Sequence, residues 1–120
     1  PTFNNVVETI TAVSDLPNNP ARGTLHLVSG GSHASLLFEL QKLQTLPYLM
    51  TANGVNIGYF TPVAGGIARV RFATDPGAND RPLDFDPVDT TFLIILNDEA
   101  VLEFKTSPGS SIGFAPATNW

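Results

Sequence analysis

The residues of this sequence that could do chemistry are few, and most of them are acidic. Asp75, Asp80, Asp84, Asp86 and Asp89 are five of the seven aspartates, and they crowd into the stretch 75–89. Calcium takes about six to eight oxygens from carboxylates and carbonyls on a bendable loop. In an extended Asp84-Phe85-Asp86 the two carboxylates fall on one side, and Asp89 can close the turn. Asp84, Asp86 and Asp89 are therefore the candidate calcium ligands. The glycine and terminal glutamate of an EF-hand loop are missing. The plainer reading of the stretch is a solvated loop, because Asp beside Pro is a common turn former.

The two histidines, His26 and His33, need a third ligand to make a zinc site, and Glu39 could supply it. Nothing in the spacing enforces that grouping, so the pair reads as two unrelated histidines. Gly30-Gly31-Ser32 has the beginning of an anion-binding turn but lacks the further glycine and the lysine of phosphate loops. Ser32 and His33 are adjacent and face apart, and no Gly-X-Ser-X-Gly elbow is present. Glu99 and Glu103 both point outward if their segment is a strand. The chain contains no cysteine, so disulfides, thiolate zinc sites and cysteine nucleophiles are excluded. This inventory predicts no enzyme and no cofactor, with calcium as the one ion kept open, through Asp84, Asp86 and Asp89.

Other residues point to binding rather than catalysis. Arg69 and Arg71 share one face of a strand and can meet acidic groups of this chain or of a neighbour. Tyr48, Tyr59, Phe60, Phe85 and Trp120 are the candidates for stacking on a sugar. Trp120 is also a candidate anchor in a neighbouring subunit. The expected interface residues are thus Trp120, Arg69 and Arg71.

The elements that must position these residues are mostly strands. Residues 6–13 are rich in β-branched types, with Val7, Thr9, Thr11 and Val13 on one face and Val6, Glu8, Ile10 and Ala12 on the other. Residues 24–29 read as a second strand that ends at Gly30-Gly31. Residues 48–60 read as a hairpin about Asn53-Gly54, a dipeptide that tolerates positive φ at both central positions. Residues 67–73 alternate. Residues 91–96 are continuously apolar, which predicts a strand buried on both faces. Asn97-Asp98 turns the chain into residues 99–105, with Ala100, Leu102 and Phe104 expected inward. A short strand is expected at Ile112–Phe114. Residues 33–46 are the one predicted helix, since Leu36, Leu40 and Leu43 recur at i, i+4 and i+7 between Ser32 as a cap and Pro47 as a stop. Phe38 lies off that stripe, and the competing reading is a strand through residues 35–40.

The expected fold is mainly β, an antiparallel β-sandwich or small barrel (jelly-roll-like), with six to eight short strands and one short helix around 33–46. With 120 residues the chain is expected to form a single β-rich domain, 1–120. Ten glycines and ten prolines punctuate it without forming a low-complexity linker.

Charge narrows the choice of function. Six basic against eleven acidic residues give −5 at pH 7, which argues against nucleic acid as a partner. No apolar run reaches the roughly 20 residues of a membrane-spanning helix. Only 14% of residues are charged, against a usual share of about 25%. Twelve Thr, nine Asn and seven Ser supply the polarity instead, and such a surface is cheaper to cover than one of Lys and Glu. The sequence therefore predicts a non-catalytic structural or assembly protein, a small β domain forming a homo-oligomer, such as a virion or phage decoration, fibre or tail component. The alternative is a lectin-like carbohydrate-binding module, calcium-assisted through the 75–89 loop. Other structural proteins or glycans are the expected further partners. The first residues show neither a basic region nor an apolar one, so no signal peptide is expected and a cytosolically made, virion-associated product fits.

Overall fold

The computed structural model describes residues 2–109; the expected strand at Ile112–Phe114 and the anchor Trp120 lie outside the described residues. Nine strands are present among the described residues: β1 (Phe3–Val13), β2 (Arg22–Gly31), β3 (His33–Gln41), β4 (Tyr48–Ala52), β5 (Val55–Phe60), β6 (Ala68–Ala73), β7 (Arg81–Pro82), β8 (Thr91–Leu96) and β9 (Glu99–Lys105). They form a five-stranded sheet in the order β1-β2-β3-β6-β7 and a four-stranded sheet in the order β5-β4-β8-β9. Every pairing is antiparallel except β6 with the short β7. No ladder joins the two sheets among the described residues, which separates this arrangement from a closed barrel.

Three tight turns set the registers. Asn53 and Gly54 have φ of 49° and 83° and join Ala52 to Val55, as the positive-φ requirement of a two-residue hairpin predicts. Asn97 and Asp98 do the same between Leu96 and Glu99, with φ of 52° and 64°. Gly31, at φ 59°, turns β2 into β3, with Gly30 opposite His33.

That third turn corrects the predicted helix. Residues 33–41 are a strand, and no helix occurs among the described residues. The segment carries two periods at once. Its leucines fit a helical stripe, but Ala34, Leu36, Phe38 and Leu40 also alternate, and it is these that are buried. Phe38 decides between the two, because a helix built on the leucine stripe would leave its ring outside. In the strand, ladders to β2 and β6 satisfy the backbone on both sides and the ring reaches the centre of the core. Tertiary burial overrides the good helix propensities of Leu, Glu, Gln and Lys.

The core lies between the sheets. Leu25, Leu27, Leu36 and Phe38 of the larger sheet and Phe92, Ile94 and Phe104 of the smaller one are all at most 1% exposed. Phe38 meets Phe72, Phe92 and Phe104 edge-on, with ring centroids 6.3, 5.4 and 5.8 Å away. Such pairs contribute about 0.5–1.5 kcal/mol each beyond area burial.

Two expectations about faces are also corrected. Strand β8 is buried on one face only: Phe92 and Ile94 point inward, while Leu93 and Ile95 are half-buried on the outside beside Thr51 and Leu49 of β4. The sequence read as doubly buried because its outer face is apolar too, but no further layer covers it among the described residues. In β9 a bulge opposite Ile94 and Ile95 inserts Val101, which is buried together with Leu102, and turns Ala100 outward.

Candidate functional site

The outer face of the five-stranded sheet carries most of the chain's paired polar groups. Alternation puts Thr9 of β1, His26 of β2, Glu39 of β3 and Arg69 and Arg71 of β6 on this face. His26 Nε2 donates to Glu39 Oε1 at 2.9 Å, and the Thr9 hydroxyl lies 3.3 Å from His26 Nδ1. Arg69 Nε approaches the other oxygen of Glu39 at 3.7 Å. Two rungs along, Arg71 pairs with Asp80 from the acidic loop. The backbone N–H of Gly77 and the Arg71 guanidinium together hold the Asp80 carboxyl below the usual aspartate range. Arg69 and Arg71 are thus both satisfied by carboxylates of their own chain. His26, Glu39 and Arg69 are exposed or half-exposed, so their pairs stabilise by about 1 kcal/mol or less.

The histidines do not meet. His26 is tied to Glu39, whereas His33 Nδ1 lies 3.1 Å from Asp75 Oδ2 at the far end of the hairpin. Sequence reasoning grouped His26 and Glu39 with His33; the structure keeps His26 with Glu39, adds Thr9, which was missed, and leaves His33 apart. The signal for this arrangement was the Gly30-Gly31-Ser32 turn, which fixes the β2–β3 register once it is read as a hairpin.

The acidic loop divides its carboxylates among separate partners. Asp89, at φ 47°, accepts from Lys105 Nζ at 3.1 Å, and Asp86 Oδ1 accepts the Val88 N–H at 3.1 Å in a local turn. Asp84 borders a cleft of about 500 Å³ together with Asp86, Phe85, Phe3, Ser32 and Thr74. No group of three His, Cys, Asp or Glu placed to hold a metal ion occurs among the described residues, so Asp84, Asp86 and Asp89 are not brought into one cage.

The stacking candidates are dispersed as well. Tyr48 and Phe60 are buried and stacked on each other, 5.5 Å between centroids, and the Tyr48 hydroxyl accepts the Gln44 N–H. Phe85 packs against Phe72 and Phe92 at the rim of the core. Tyr59 alone of these four is exposed. Glu99 and Glu103 project from β9 into solvent.

What remains conspicuous on the surface is apolar. Val7, Val13 and Val28 are 84%, 66% and 53% exposed on the outer face of the larger sheet, with Val7 directly opposite Val28. On the smaller sheet, Tyr59 flanks Leu49, which flanks Ile95. No helix among the described residues is long and apolar enough to cross a membrane. Comparison with protein-family models and with curated protein sequences finds no match.

Proposed function

We propose that this chain is a non-catalytic assembly protein that works as a homo-oligomer, its two sheets forming a β-sandwich whose outer surfaces are covered by further subunits. The observation that carries the reading is the exposure of Val7, Val13 and Val28 on one outer sheet face. Isolated exposed valines are ordinary, but three on one face beside uncharged threonines make a surface that gains by being covered. The half-buried outer row of Leu49, Leu93 and Ile95 supports the same reading, as does the low charge. A repetitive setting such as a virion decoration, fibre or tail fits this chemistry.

The test is the solution mass by light scattering, with calcium and with chelator. A stable dimer or larger species in both conditions is expected; a monomer at about 100 μM overturns the reading.

One observation favours a second reading, glycan binding. The cleft beside Asp84 and Asp86 joins carboxylate acceptors and hydroxyls to the apolar floor of Phe3 and Phe85. Under that reading calcium raises the melting temperature and Asp84→Asn with Asp86→Asn removes the shift; no shift in the unaltered protein ends the calcium-assisted version.

A further inference from the structure

A sheet edge is a row of unpaired backbone donors and acceptors, and proteins ordinarily guard it with charge, proline, a bulge or a covering group. Among the described residues the two sheets have four edges, and three of them are guarded. Strand β5 is bent at Gly58, φ 133°, and Arg81 lies over it, donating to the Tyr59 carbonyl at 2.8 Å. Strand β7 has two residues, one of them Pro82. Strand β9 carries Glu99, Glu103, Lys105 and the Val101 bulge.

Strand β1 differs. Among the described residues it is the longest strand, with eleven residues, and it pairs with β2 alone. Its bulge lies before Val6, and the segment after β9 lies against its start, where Ser107 N donates to Glu8 Oε1 and Asn4 Nδ2 donates to the Pro108 carbonyl. From Thr9 to Val13 the sequence is Thr-Ile-Thr-Ala-Val, with no charge, proline or bulge. Among the described residues nothing but β2 takes its backbone groups. A groove of about 580 Å³ opens between this half of β1 and β9; Ile10, Ala12 and Val101 line it together with the charged Asp15, Glu103 and Lys105 at its rim.

The outward residues of β1 are also symmetric about Ile10. Read in either direction, Val7, Thr9, Thr11 and Val13 give Val, Thr, Thr, Val. We infer that β1 is a homotypic pairing edge: two copies join antiparallel about a two-fold axis at Ile10, merging their five-stranded sheets into one. In this register Val7 faces the second copy's Val13, Thr9 faces its Thr11, and Ile10 faces its own counterpart. Such a self-complementary patch is what an isologous interface requires. The most exposed valines of the chain become cross-strand pairs, and Thr faces Thr, both favourable in antiparallel sheets. Glu8 faces Ala12, so no like charges oppose each other. The pairing gives the oligomer of the proposed function its surface and rests on that reading.

The test uses charge and a cysteine pair in the full chain. Val7→Glu with Val13→Glu sets carboxylates opposite each other at exposed positions that keep the fold, as circular dichroism checks. The dimer dissociation constant should rise roughly tenfold or more. Mixing this variant with Val7→Lys/Val13→Lys should restore a one-to-one heterodimer. Because the chain lacks cysteine, Thr9→Cys mixed with Thr11→Cys gives a clean register readout. Residues directly opposite lie within disulfide reach and residues two positions off do not. Rapid cross-linking in the mixture, with little in either variant alone, is expected. Equal cross-linking alone and mixed, or an unchanged mass in the charge variants, overturns the β1 edge while leaving the assembly reading standing. An unaltered protein that is monomeric overturns both.

Discussion

The two faces of the five-stranded sheet are built from the same strands and come to opposite results. On the inner face, Leu25, Leu27, Leu36 and Phe38 lose all contact with water. On the outer face the same strands set Val28, His26, Leu37 and Glu39 side by side, and there Val28 stays exposed and Leu37 half-buried while His26 and Glu39 pair. The difference lies in what stands opposite. The inner face meets a second sheet of matching shape and gains both burial and close packing. The outer face meets water, so its valines contribute little to the fold and its ion pairs are screened. Burial and exposure are therefore separated by a single strand thickness.

The strongest way to break that contrast is at the inner face. Phe38→Ala removes the ring that links both sheets and should cost about 3–5 kcal/mol, measured by urea unfolding. A loss under about 1 kcal/mol would mean that the sheets do not share one core. A smaller effect of opposite sign is expected at Thr51, whose buried Oγ1 has no partner. Thr51→Val keeps the shape and drops the unsatisfied hydroxyl, so it should raise stability by about 1 kcal/mol, read as a higher melting temperature. The smallest effect belongs to the outer face. Asp80 titrates lower when folded than when unfolded, so its contribution is present above the ordinary aspartate range, about 3.9, and is lost as pH falls through the lowered folded value. The stability gap between the unaltered protein and Asp80→Asn should be widest near neutral pH and should close in acid; a gap that persists below pH 2 contradicts this.

Much of the strand framework was legible from local signals. The segments 91–96 and 99–105 coincide with β8 and β9, because Asn97-Asp98 marks a turn that few other dipeptides tolerate. Asn53-Gly54 placed the second hairpin in the same way. The β1 faces were also legible, since strand alternation is fixed by backbone geometry whatever lies nearby. Residues 33–46 were misread because leucines at four-residue spacing satisfy a helix and a strand equally well, and only the neighbours β2 and β6 could choose between them.

The sites show the same division. Composition already pointed away from thiol chemistry and toward a surface of neutral polar groups, since those properties need no fold. Whether carboxylates converge depends on distances between residues far apart in sequence. Only the folded chain sent Asp80 to Arg71, Asp89 to Lys105 and Asp75 to His33 instead of gathering them. The same holds for edges: the sequence of β1 contains its symmetry about Ile10, but which strand is left without a second neighbour is decided by sheet order. Periodicity, turn chemistry and residue inventory are local and were determined by the sequence. Pairing, layer coverage and exposure are long-range, and only the tertiary structure decided them.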